Sequence, residues 1–312
     1  MLARLETPQE EAGTEPMRIL LAGASGFLGT HLRAGLVAGG HDVTALTRGP
    51  ARAGDQATWD PYAGTLDPAL VEAADVVVNL AGSPTLGNPH SKKWARELRA
   101  SRVTTTSVLA RAIAGSQRRP AFLAGNGISV YGDHGQEPLT EAAESRGDAL
   151  LTSVTREWQA AADPAVEAGA RVCILRTAPV MDRRSPPLKQ LRLLFLAGAG
   201  GRFGDGRQRM PMISLRDWVG AVVHLAEHAD AAGPFNLCCQ RTPTNAEFTR
   251  ELARQLHRPS FATVPRLALK AAGPMAPELL GSLNVVPEAL LASGFEFRDP
   301  DVSAVLSAAL TA

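Results

Sequence analysis

Gly23, Gly26 and Gly29, spaced three apart in Gly-Ala-Ser-Gly-Phe-Leu-Gly, are the residues of this chain best placed to do chemistry, because they let backbone approach a ligand. Before them runs Met17-Arg-Ile-Leu-Leu-Ala22, apolar and strand-like. After them Phe27, Leu28, Leu32, Leu36 and Val37 recur at helical spacing, with Gly39-Gly40 as a stop. One glycine suits the tight strand-to-helix turn, one the approach of backbone to phosphate, and one the close packing of helix on strand. The helix N-terminus adds unpaired N–H groups and a positive dipole end. Gly23, Ser25, Gly26, Phe27, Leu28 and Gly29 are therefore the expected pyrophosphate clasp, although glycine-rich turns also precede helices that bind nothing. A second strand-like run, Asp42-Val-Thr-Ala-Leu-Thr-Arg48, completes a βαβ unit of about 30 residues. Where an NAD-binding unit places Asp or Glu on the ribose 2′-hydroxyl, this chain has Thr47 and Arg48. A carboxylate would repel a 2′-phosphate and a guanidinium can bind it, so NADP(H) is the expected cofactor. The plainer alternative for Arg48 is a surface arginine at a strand end.

The elements that must position these residues are legible around them. At 312 residues with 45% apolar content, the chain suits one large α/β domain or up to two lobes. Strand-like runs at Asp75–Ala81, Ala121–Ala124 and Arg171–Arg176 alternate with helical ones at Trp94–Ala114 and Ala149–Ala162. That alternation predicts an α/β, doubly wound parallel sheet, with the loops after Ala22, Leu46, Leu80, Leu123 and Leu175 converging on one crevice. Residues 17–180 are the expected Rossmann domain. Residues 181–215 and 241–312 are expected to form a smaller, helix-rich C-terminal substrate lobe, while 216–240 rejoin the sheet. Residues 1–16, with Glu6, Glu10, Glu11 and Glu15 and no apolar core, read as a disordered tail rather than a signal peptide. A net charge of +1 makes no case for nucleic acid or an anionic membrane. Arginine heavily outnumbers lysine (Lys92, Lys93, Lys189 and Lys270), which reads as base-composition bias. Cys173, Cys238 and Cys239 lack metal-ligand spacing, so no metal is expected and a reducing cytoplasm fits. The apolar stretch near Leu191–Ala199 is too short to span a bilayer. A cytoplasmic monomer or homodimer acting on a small molecule is the expectation.

Gly23-x-x-Gly26-x-x-Gly29, Asn79-Leu-Ala-Gly82 and Val130-Tyr-Gly132, in that order, resemble an extended short-chain dehydrogenase/reductase, the group of sugar-nucleotide epimerases and dehydratases. More narrowly, Gly40–Arg48, Trp59-Asp-Pro61, Ser101-Arg-Val103, Gly204-Asp-Gly-Arg-Gln208 and Gly294-Phe295 are similar to the "epimerase family" proteins that end in a domain of unknown function. The resemblance covers about residues 17–300. It implies NADP binding and an oxidoreductase or epimerase-like activity on a small polar metabolite. It also implies roles for Leu80, Ala81 and Gly82 against the adenosine or ribose and for Pro179 and Val180 over the nicotinamide. Arg102 stands where many extended relatives carry Asn and could reach a substrate phosphate or carboxylate. Arg102 could instead form an ion pair with Glu97. Asp60 either accepts from the adenine amine or simply starts a turn.

The superfamily's proton chemistry rests on a Tyr-x-x-x-Lys pair, and this chain has none. Four residues after Tyr62 and Tyr131 stand Leu66 and Gly135, and the dyad's places fall on Thr155 and Gln159. Neither titrates near neutrality. Asn126 and Gly127 occupy the neighbourhood of the helper hydroxyl, leaving Ser129, Tyr131 and Asn126 as the catalytic candidates. Asp133 and His134 follow in what reads as an exposed loop. Met212 and Ser214 stand where relatives commonly carry Trp and His, and the loop 198–209 reads as a mobile surface loop or an anion cradle. With its dyad missing, the chain also admits a second class of reading, a sensor or scaffold that binds NADP without turnover.

Overall fold

Ile19 and Leu21 project from one side of the strand Arg18–Ala22 and Leu20 and Ala22 from the other, and all four are buried. Alternate residues of a strand face opposite ways, so this strand lies inside a sheet covered on both faces. A computed structural model of the chain describes residues 15–85, 87–271 and 273–311 and shows that sheet. It has seven strands in the order Gly233–Leu237, Val172–Thr177, Ala121–Gly127, Val76–Asn79, Arg18–Ala22, Asp42–Thr47 and Gln56–Thr58, every adjacent pair parallel. The helices Phe27–Ala38 and Leu215–Glu227 cover one face through Leu32, Leu36, Trp218 and Val222. The helix Lys92–Gly115 covers the other through Leu109 and Ile113. The fold is a doubly wound, Rossmann-like sheet. Its chain order runs one way from Arg18–Ala22 through Asp42–Thr47 and the opposite way through Val76–Asn79, so a crevice opens past the carboxyl ends of those strands.

Beyond the sheet, Met181, Leu188, Phe195, Met212, Phe248, Leu252 and Leu306 pack into a core of their own. This second core draws on segments on both sides of the edge strand Gly233–Leu237. The helix Asn245–Gln255 within it starts with a capping box between Thr244 and Glu247. Several local expectations shift. The strand starting at Ala121 runs on to Gly127, because Asn126 and Gly127 pair with Arg176 and Thr177. The helical run near Ala149–Ala162 divides into Leu150–Ala160 and a short helix Asp163–Glu167 that has Pro164 in its first turn. The loop 198–209 contains a strand, Gly201–Phe203, paired with Ala262–Val264. The expected tail falls almost wholly on residues 1–14, outside the described residues.

Asp75 ties the amino end of Arg18–Ala22 to the loop that leads into Ala121–Gly127. It accepts from the Arg18 backbone N–H at 2.8 Å and pairs with the guanidinium groups of Arg18 at 3.2 Å and Arg118 at 2.6 Å. The bond from Arg18, foremost, pulls the Asp75 carboxyl down to about 2. The unfolded value is about 3.9, so these contacts stabilise the fold above that pH and are lost as pH falls towards 2. Asp75→Asn is expected to flatten the acid limb of thermal unfolding measured from about pH 5 down to pH 2. At neutral pH it should cost under about 1 kcal/mol, since the site is largely solvated. An acid limb unchanged by the substitution would refute this.

Candidate active site

Gly23 takes φ +84°, and a Cβ on it would stand 2.6 Å from the carbonyl carbon of Leu80, so the loop turns hard against the exit of the neighbouring strand. A Cβ on Gly29 would stand 2.1 Å from the Gly23 carbonyl oxygen. That contact fixes the helix Phe27–Ala38 against the turn. Gly26 caps this helix without any side-chain hydrogen bond, and its first turn contains no acidic residue. The backbone N–H groups there are left open for an anion, and Ser25 and Gly26 are exposed at the loop's crest.

One strand over, Thr47 Oγ1 accepts from the Gly49 N–H at 3.4 Å. Arg48 is exposed, with no hydrogen bond or ion pair among the described residues. Asp60 uses its carboxylate locally, accepting from the N–H groups of Tyr62 and Ala63 at 2.9 and 3.1 Å. It closes a tight turn to Thr65. On the other side Asn79, fully buried, donates to Thr105 and Thr106 Oγ1 and accepts from the Ala81 N–H at 3.0 Å. Leu80 N–H donates to the Ala22 carbonyl. Together these bonds hold Leu80, Ala81 and Gly82 at the crevice. Pro179 accepts from the Ile213 N–H, and Val180 is buried where its short strand pairs with Ile213.

Arg102 is half-buried on the helix Lys92–Gly115, and Gly82 lies under its side chain. It donates to the Leu98 carbonyl at 3.1 Å and to Thr85 Oγ1 at 3.0 Å, and it stacks 5.2 Å from the Trp158 ring centroid. Glu97 does not pair with it, being taken by Lys93. Burial pushes the Arg102 guanidinium down to about 10, which leaves it charged at neutral pH with no carboxylate beside it among the described residues.

The dyad's places are filled by groups with other work. Thr155 Oγ1 donates to the Leu151 carbonyl at 2.7 Å, and Asn126 Nδ2 donates to the Thr155 carbonyl at 3.1 Å. Gln159 Oε1 accepts from Arg176 Nε and Nη2 at 3.2 and 3.1 Å. A lysine at 159 would set a second cation against that guanidinium. Arg176 Nη1 donates to the Tyr131 hydroxyl at 2.7 Å, and the hydroxyl donates in turn to Asn236 Oδ1 at 2.7 Å. Tyr131 is 1% exposed, and burial raises its phenol above the usual range. Its oxygen is thus engaged as both acceptor and donor within the core.

Ser129 stands differently. Past the carboxyl end of Ala121–Gly127, its hydroxyl donates to Glu278 Oε2 at 2.8 Å, at the edge of a cavity of about 200 Å³. Asp133 accepts from the Gly135 and Ser282 N–H groups. His134 is buried, not exposed as its loop suggested, with Nε2 3.0 Å from the Tyr131 carbonyl. Glu278 and the Arg176 network escaped sequence reasoning. Glu278 lies 149 residues from Ser129, and no local pattern marks it.

Comparison with known proteins places the chain in a family and a fold. Residues 19–238 match the family described as NAD dependent epimerase/dehydratase, and residues 264–309 match a domain of unknown function, DUF1731. The chain is 34% identical to the epimerase family protein Mb2239 of Mycobacterium bovis, over 94% of this chain and 97% of that protein. It is 33% identical to the epimerase family protein SDR39U1 of Bos taurus, over 93% and 98% respectively. Among solved structures, human SDR39U1 with NADPH superposes with a TM-score of 0.84 at 29% identity, covering 95% of this chain and 99% of that one.

Proposed function

This chain belongs to the NAD dependent epimerase/dehydratase family, and from that premise we propose that it binds NADP(H) and acts as an oxidoreductase or epimerase-like enzyme on a small, polar, anionic metabolite. The observation that carries the reading is the cradle itself. Gly23 and Gly29 leave no room for a side chain, the helix N-terminus behind them has no side-chain cap, and one strand away Arg48 has no partner among the described residues. A relative at 29% identity holds NADPH in the same fold.

The open N–H groups of the Ser25–Gly29 turn bind the pyrophosphate, and Arg48 with Thr47 takes the 2′-phosphate. Leu80, Ala81 and Gly82 permit close approach of the adenosine ribose, while Pro179 and Val180 wall the nicotinamide end. When bound, the cofactor supplies or accepts a hydride. Arg102, charged and with no counter-ion among the described residues, orients a carboxylate or phosphate of the substrate. Ser129 is the hydroxyl available for proton movement, since Tyr131 is committed to Arg176 and Asn236. Asn126 keeps the turn between Ala121–Gly127 and Ser129 in place through its bonds to Thr155 and Gly127.

Calorimetric titration is expected to give NADPH at least tenfold tighter binding than NADH, a difference of about 1.4 kcal/mol for a charge-assisted contact. Arg48→Ala should remove most of that preference while leaving NADH binding intact. Equal affinities in the wild-type protein would overturn the assignment to NADP(H). Thr155 and Gln159 in place of the dyad favour one alternative, a sensor that binds the nucleotide without turnover. Consumption of NADPH with any pool of carbonyl or nucleotide-sugar compounds excludes that alternative.

A further inference from the structure

We propose that Glu278, in the C-terminal segment, is the proton reservoir of the site and works through the Ser129 hydroxyl beside the nicotinamide, in place of the missing tyrosine and lysine. The inference rests on the cofactor reading above and adds a residue and a direction of proton flow to it.

The placement follows from the sheet. With the pyrophosphate at the turn after Arg18–Ala22 and the adenosine over Asp42–Thr47, the other half of the dinucleotide must run the opposite way, across Val76–Asn79 towards the exit of Ala121–Gly127. Strands lie about 4.8 Å apart, so that exit is about 10 Å from the pyrophosphate turn. Ser129 is two residues past it. Its hydroxyl is 2.8 Å from Glu278 Oε2, and both residues line the cavity of about 200 Å³ together with Gly132, Thr152 and Pro277. Burial raises the Glu278 carboxyl above its ordinary range, partly offset by the bond from Ser129. The other charged groups on the cavity walls are Asp133, Arg146 and Asp148. Asp133 is held by two backbone N–H groups, and Arg146 pairs with Glu137. On the side of the preceding segment His90 approaches the Ala271 carbonyl.

In the reducing direction a hydride adds to the carbonyl carbon of the substrate, and its C–O π electrons take the proton of the Ser129 O–H. The proton of the Glu278 carboxyl moves to Ser129 Oγ in the same event. The products are the alcohol, oxidised cofactor, an intact serine hydroxyl and a Glu278 carboxylate, which solvent reprotonates. The oxidising direction reverses each transfer.

The test needs no substrate. Oxidised nicotinamide carries a positive charge that the reduced ring lacks, so a neighbouring carboxylate must favour NADP+ once it ionises. The Kd values of NADP+ and NADPH are measured by titration between about pH 5 and pH 9. Their ratio cancels the 2′-phosphate, which titrates in both ligands. In the wild-type protein Kd(NADP+)/Kd(NADPH) is expected to fall by about tenfold as pH rises, the order of one charge pair in a partly solvated site. Glu278→Gln should make the ratio flat. Ser129→Ala, which leaves the carboxyl in place, should move the midpoint to higher pH, because a bond favouring the ionised form is gone. A ratio independent of pH with both ligands bound overturns the role of Glu278 and leaves the cofactor reading standing. So does a pH dependence that survives Glu278→Gln, or a midpoint unmoved in Ser129→Ala should the glutamine variant not fold. Failure of both ligands to bind at any pH overturns the cofactor reading and this inference together.

Discussion

Gly29→Ala is expected to eliminate measurable NADPH binding and to destabilise the fold by about 1–3 kcal/mol, the range for a group forced into a closed contact. The new methyl would stand 2.1 Å from the Gly23 carbonyl oxygen, 2.8 Å from its carbon and 2.9 Å from Ala24 Cα. All three are backbone atoms, so no rotamer change relieves the clash. The helix must slide off the turn, and the N–H groups that would grip the pyrophosphate then lose their aim. A loss of at least about 100-fold in affinity corresponds to about 2.7 kcal/mol, roughly two charge-assisted hydrogen bonds. Gly54→Ala is the control, since a Cβ there meets nothing within 4 Å. It should leave both NADPH titration and urea unfolding unchanged. Wild-type affinity in Gly29→Ala would show that the close approach is dispensable to the site.

Arg176→Met should cost about 2–4 kcal/mol in urea unfolding, because it leaves buried neutral acceptors without their donor. Arg176 is 7% exposed, and its guanidinium satisfies Gln159 Oε1, the Tyr131 hydroxyl and the Glu141 carbonyl at once. Methionine fills comparable space and leaves all three acceptors without a donor. Each unsatisfied buried group costs about 1–3 kcal/mol. Lysine should rescue little, because one ammonium group cannot reproduce a planar fork that reaches two directions. Tyr131→Phe should cost less, about 1–2 kcal/mol, since Arg176 keeps its other acceptors. The double variant with Arg176→Met should show a coupling of at least about 1 kcal/mol. Strict additivity of the two changes would mean that the phenol and the guanidinium do not act as a unit.

The doubly wound parallel sheet was legible in the residues because strands and helices announce themselves locally, although the short edge strand Gln56–Thr58 was not. Ile19 to Ala22 alternate faces, Leu32 and Leu36 repeat at helical spacing, and Gly23 sits where only a residue tolerant of positive φ fits. The loss of the tyrosine–lysine pair was equally plain, since an absent residue type needs no structure to detect. The family, too, follows from ordered motifs along one line.

Only the tertiary structure decided what each polar side chain does. Asp60 spends its carboxylate on its own turn, and Glu97 turns to Lys93 rather than Arg102. His134 is folded inward, and Tyr131 is bound between Arg176 and Asn236. Above all, Glu278 reaches Ser129 across 149 residues. Sequence fixes the backbone's periodic preferences because those act between near neighbours. A hydrogen bond between distant residues, and the desolvation that shifts a carboxyl's proton affinity, exist only once the chain has closed around them.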